Sequence, residues 1–161
     1  MCFVLSVLVL QLGCKSKPRD PEAEVESTIS QLEVLVENKK LRSIKELLHP
    51  DYRDPDGRRK ADLVAFLQLQ FLRRSTIGVL SRIQSLEINT QGSHAEVILL
   101  AAAGSRITAG METLRGISAN VFRIEVALVD EDQKWLIQSA DWRRARKSDL
   151  MELLDDSDEE E

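Results

Sequence analysis

KWLIQSADWR, residues 134–143, is the stretch whose reading decides the fold. Polar and apolar residues alternate through it, and an acidic turn, VDEDQ at 129–133, comes directly before it. Ahead of that turn Phe122, Ile124, Val126 and Leu128 alternate with Arg123 and Glu125. Two period-two runs about a short polar turn predict an antiparallel hairpin. Unbroken alternation would put Asp141, which lies between Ala140 and Trp142, on the same side as Trp135 and Ile137.

Working outward, Leu86 and Ile88 alternate with Ser85 and Glu87. The turn NTQGS then leads to Ala95, Val97, Leu99 and Ala101, with His94 and Glu96 between them. This predicts a second hairpin. GSRITAGMETLRG, 104–116, joins the two hairpins and is weakly patterned. Upstream of Gly78 the period lengthens. Val25, Ile29, Leu32 and Val36 step by four, three and four, which is one face of a helix, with Pro21 tolerated in its first turn and Glu22, Glu24 and Glu26 at its positive end. Leu41, Ile44, Leu47 and Leu48 predict a short second helix that ends at His49-Pro50. DYRDPDGRR, 51–59, is a turn cluster. KADLVAFLQLQFLRR, 60–74, predicts a third helix with Leu63, Leu67 and Phe71 on one face. Helices followed by strands predict an α+β domain over 22–147: three N-terminal helices packed on a curved four-stranded antiparallel sheet.

This order, with a turn such as HPDYRDPDG before the third helix and a closing KWLIQSADW strand, resembles the nuclear transport factor 2-like superfamily of cone-shaped α+β folds. The resemblance spans about residues 22 to 146 and is one of pattern. It implies a further short strand near Tyr52. The superfamily holds ketosteroid isomerase, cyclases and dehydratases beside many non-catalytic binding or dimerising domains, so the fold does not select an activity. An isomerase-like site would need a carboxylate base in an apolar pocket and a donor for the oxyanion. On that template Asp141 is the candidate base, Tyr52 the donor and Arg123 an anion clamp, with Trp142 a further ligand-binding candidate. Structural roles compete with each of these. Tyr52 is expected at the rim with its hydroxyl in water, Asp141 paired with Arg143 or Arg123, and His94 exposed. No nucleophile–base spacing marks a catalytic set, and nothing in the chain calls for a cofactor.

The N-terminus carries a separate signal. Residues 2–12, CFVLSVLVLQL, form an apolar run too short to span a bilayer as a helix. Gly13 and Cys14 follow, then the polar KSKPRDPEAE. This order resembles a bacterial lipoprotein signal. The resemblance implies a signal peptide over 1–13 and lipidation of Cys14 with diacylglycerol and an acyl chain. It also implies a linker over 14–21 and attachment to the cell envelope, with Lys15 leaning toward the periplasmic face of the outer membrane. Gln11 stands where the usual motif has leucine, and no basic residue precedes the apolar run. The competing reading makes the run a packed element of a cytoplasmic protein.

Twenty-seven acidic side chains face 22 basic ones, but six of the acids fall in DDSDEEE, 155–161, so the rest of the chain carries +1. A near-neutral body gives no electrostatic reason to expect nucleic acid. Cys2, Cys14, His49 and His94 show no zinc spacing. RRARK, 143–147, is expected to be a solvated strand end that pairs with the acidic tail, and SDLMELL, 148–154, a turn or two of helix capped by Ser148. The expected function is a non-catalytic, membrane-anchored domain for a small apolar ligand or an envelope protein, able to form a homodimer. The alternative is an isomerase, dehydratase or cyclase.

Overall fold

A computed structural model describes residues 19–104 and 121–149. The apolar N-terminus with Cys14, most of the 104–116 connection and the acidic tail lie outside the described residues.

Helix α1 covers Pro21–Glu37. Asp20 caps it by accepting from the Ala23 N–H at 3.3 Å, Pro21 occupies the first turn, and Glu22 and Glu24 sit where the helix dipole favours acid. The Asn38 side chain closes its far end by donating to the Val34 carbonyl at 2.7 Å. Helix α2 is Leu41–Leu47 and α3 is Lys60–Arg73. Four strands of 11 residues follow: β1 Gly78–Ile88, β2 His94–Gly104, β3 Val121–Glu131 and β4 Lys134–Arg144. They pair antiparallel in chain order. A helical turn begins at 147, beside the three N-terminal helices and where a short helix after the sheet is expected. Its cap differs from the one expected: Ser148 lies within it, and the Asp149 carboxylate accepts from the Arg146 N–H at 2.6 Å.

The short strand near Tyr52 is present as a single parallel bridge, Leu48 to Ile137. The His49 N–H donates to the Ile137 carbonyl at 2.9 Å and the Arg53 N–H to the Gln138 carbonyl at 3.1 Å. The α2–α3 connection is thereby fastened along the free edge of β4.

Alternation holds on β2, where Ala95, Val97, Leu99 and Ala101 are buried on the inner face, against the helices. It fails on β4. Leu128 pairs with Ile137 and Ala127 with Ser139, so Gln138 is an extra residue, a β-bulge. One extra residue moves everything after it to the opposite face. Trp135 and Ile137 before the bulge therefore share the inner face with Ala140 and Trp142 after it. Asp141, expected beside Trp135 and Ile137, points outward and is exposed.

The outer face has a small apolar cluster of its own. Leu100, Ala102 and Val121 are buried there with Leu80 and Ala145 against them. Ala145 is fixed by its N–H donating to the Val121 carbonyl at 2.9 Å.

Candidate functional site

The turn DPDG, 54–57, builds a polar cluster on the inner side. Gly57 takes φ +82°, a left-handed conformation that glycine adopts without a steric penalty. This lets the chain double back, so that the Asp54 N–H reaches the Arg58 carbonyl at 3.1 Å. The Asp54 carboxylate is fully buried and accepts from the Arg58 N–H at 2.8 Å and from Arg58 Nε at 2.6 Å. That hydrogen-bonded carboxylate raises the Arg58 pKa further. The guanidinium then lies 4.5 Å from the centre of the Trp142 ring, a cation–π distance, and Trp142 stacks on Phe66 of α3 at 6.4 Å. Arg58 thus ties the turn, β4 and α3 together.

Tyr52 sits behind this cluster at 1 % exposure, not at the rim with its hydroxyl in water. Burial, then the neighbouring Asp54 charge, pushes its pKa up to about 12. The phenol is therefore neutral at any ordinary pH. Its hydroxyl has no hydrogen-bond partner among the described residues, although the Ala140 backbone lies close enough to influence it. Trp135 Nε1 is also buried without a partner among the described residues.

Of the four sequence candidates, Tyr52 and Trp142 both border Arg58, while Asp141 and Arg123 are on the other side of the sheet. Arg123 is an outer-face residue that pairs with Glu125 and approaches Asp149 at 3.8 Å. Asp141 does not take Arg143 or Arg123 as its ion-pair partner. Asp149 holds Arg143 instead, through two bonds of 2.8 Å. The guanidinium and the Arg146 N–H bring the Asp149 pKa down to about 2. His94 is exposed, as expected. His49 is buried: its Nδ1 accepts from the Asp51 N–H at 3.0 Å, which leaves Nε2 to donate to Glu131 at 2.8 Å. That role is structural. Asp54 and Arg58 escaped the sequence reading, although their i, i+4 spacing across Asp-Pro-Asp-Gly was the available signal.

Several openings lie among the described residues. A groove of about 860 Å³ runs between the α2–α3 connection and α3, lined by Lys45, Arg53, Arg59 and Lys60. Another of about 1140 Å³ lies between α1, α2 and the β3–β4 turn. A depression of about 320 Å³ on the outer face is ringed by Glu87, Glu96, Glu125 and Asp141. No group of three His, Cys, Asp or Glu among the described residues is placed to hold a metal ion.

No protein-family model and no curated protein matches the chain. Solved structures do. A nuclear transport factor 2-like protein of Cytophaga hutchinsonii matches at TM-score 0.56 and 15% identity, over 79% of this chain and all of that one. A provisionally assigned scytalone dehydratase of Novosphingobium aromaticivorans matches at TM-score 0.55 and 12% identity, over 77% of this chain and 83% of that one. Bd1075 of Bdellovibrio bacteriovorus matches at TM-score 0.60 and 9% identity over 78% of this chain, which spans only 41% of that protein. Identities this low establish architecture alone. The domain described here has the nuclear transport factor 2-like α+β fold.

Proposed function

We propose that this protein is a cell-envelope lipoprotein, tethered through lipid on Cys14, whose domain binds a ligand or partner without catalysing a reaction. The observation that carries the non-catalytic reading is the outward placement of Asp141. The carboxylate beside Tyr52 is Asp54, and Arg58 holds it in two hydrogen bonds. Both of its oxygens are thus engaged as structural acceptors. Tyr52 supplies a donor with no base to work beside it. Gly13-Cys14 between an apolar run and a polar linker supports the anchor. No described helix is long and apolar enough to cross a membrane.

On this reading the outer membrane's periplasmic face is the location, and the exposed sheet face is the surface for an envelope protein or a second copy. The intact native mass of protein extracted gently from producing cells tests it. A chain starting at Cys14, heavier by diacylglycerol and an acyl chain, is expected. A mass starting at Met1 overturns the anchor. Retained apolar ligand or a dimer mass would identify what the domain binds. Turnover of a hydroxylated or keto substrate that Asp54→Asn abolishes would favour the dehydratase or isomerase class instead.

A further inference from the structure

The groove between α2, the α2–α3 connection and α3 concentrates positive charge. Lys45, Arg53, Arg59 and Lys60 line it, against the single lining acid Asp51. None of the four cations is ion-paired among the described residues, whereas Arg19, Arg58, Arg123 and Arg143 all are. The four lie on α2, on the α2–α3 connection and at the start of α3, and the local fold turns them toward one groove. The β4 bridge holds the Arg53 backbone, and Arg59 and Lys60 open α3.

Two further observations point to an anion. Lys60 is half-buried, its ammonium donating to the Leu48 carbonyl at 2.5 Å, and its pKa is lowered by burial and by the charge of Lys45. A half-buried lysine beside a second cation is relieved by an anion between them. The groove also receives the N-terminus of α3, a helix of 14 residues, whose first N–H groups and positive dipole end favour negative charge. Asp62 accepts from the Arg59 N–H at 2.9 Å and keeps its charge, so two acids, Asp51 and Asp62, stand against the four cations. Val64 provides an apolar wall beside them.

We infer that the groove lined by Lys45, Arg53, Arg59 and Lys60 is a binding site for a phosphoryl group carried on a larger, partly apolar molecule. An arginine pair presents forked donors that match phosphoryl oxygens, and lysines add point charge. The same chemistry is offered by a phospholipid headgroup and by a soluble phosphoester. The site does not depend on the lipid anchor, so it stands or falls apart from the function proposed above.

The test uses the full chain carrying Cys14→Ser, so that acylation cannot bring it to a membrane. Pyrophosphate is titrated calorimetrically, and sedimentation is measured with phosphatidylglycerol vesicles and with phosphatidylcholine vesicles. The variants are Arg53→Gln/Arg59→Gln, exposed side chains on the groove, and Lys134→Gln/Arg144→Gln, exposed cations elsewhere. Saturable binding that the first pair weakens at least about tenfold, with the second pair within about twofold, supports the site. Pyrophosphate binding assigns a soluble phosphoester, and binding to phosphatidylglycerol vesicles alone assigns a headgroup. Equal weakening by both pairs, or no saturable binding to either probe, overturns the inference. Lys45→Gln, on α2, repeats the comparison if the first pair fails to fold.

Discussion

The same four strands present two unlike faces. The inner face carries Val97, Leu99, Val126, Leu128 and Ile137, all nearly or fully buried beneath the helices. The outer face is banded. Arg82, Leu100, Arg123 and Arg143 form one register row across the sheet, and Glu87, Glu96, Glu125 and Asp141 lie toward the other end. The inner face is held by excluded water and close packing. The outer face is held by local charge pairs and one apolar cluster under Ala145. The difference teaches that the phase of β4 decides the chemistry of this molecule. The bulge at Gln138 keeps Trp142 under Arg58 and sends the neighbouring carboxylate to solvent.

Deleting Gln138 together with Ser139 should therefore be the most damaging change, whereas deleting Gln138 alone leaves a regular alternation with every face kept. In the double deletion residues 140–144 would exchange faces, placing Asp141 opposite Val126 and expelling Trp142. Burial of an unpaired carboxylate with loss of an aromatic anchor is expected to cost on the order of 4 kcal/mol or more, read as collapse of the denaturant midpoint. A deletion that leaves the midpoint in place would break the comparison. Asp54→Ala comes next. It removes both acceptor contacts for Arg58, whose guanidinium is partly exposed and can turn to water. About 2 kcal/mol of destabilisation is expected, with blue-shifted or altered Trp142 fluorescence as the cation leaves the ring.

These two residues also show what the sequence could and could not disclose. The helices were legible because their apolar faces recur at helical spacing and their caps are local. β1 to β4 were legible because alternation and turn residues are local too. The bulge was not, since it depends on how Gln138 pairs with a strand already committed to β2. Tyr52 was legible as a special residue only by being the single tyrosine, and its burial depends on the connection docking along β4. Arg58 had no local signal beyond the turn, because Trp142 lies far along the chain.

The outer face should break under acid, where the inner face does not. Asp149 has its carboxyl lowered from 3.8 to about 2. A group whose folded pKa is depressed contributes stability that is present above the ordinary value and lost as pH falls through the lowered one. Docking of 145–149 on the sheet should thus persist at pH 4 and fail near pH 2, and Asp149→Asn should lose about 1 kcal/mol at neutral pH and remove this acid transition. Hydrogen exchange at Ala145 and Val121 against pH reads it directly. Release of that segment without inner-face exchange is the expected pattern.

Tyr52→Phe runs the other way. The hydroxyl is buried with no hydrogen-bond partner among the described residues, so removing it relieves a desolvated group. Stability should hold or rise by up to about 1 kcal/mol. Because there is one tyrosine, its phenolate absorbance should appear in the folded protein only near pH 12. A midpoint near 10 would return Tyr52 to the rim.

The smallest expected effect is the sharpest about the faces. Asp141 pairs across the strands with Glu125, a like charge directly opposite on an exposed surface. Such a pair repels weakly, and Arg123 already compensates Glu125. Asp141→Asn should consequently raise stability by no more than about 0.5 kcal/mol, and less in high salt as the repulsion is screened. A carboxylate facing the apolar interior would behave differently. It would gain several times that on losing its charge, without regard to salt, because desolvation and not repulsion would be the cost. The salt dependence of one conservative substitution thus reports the direction in which residue 141 points, and with it whether the inner side of the sheet ever had its base.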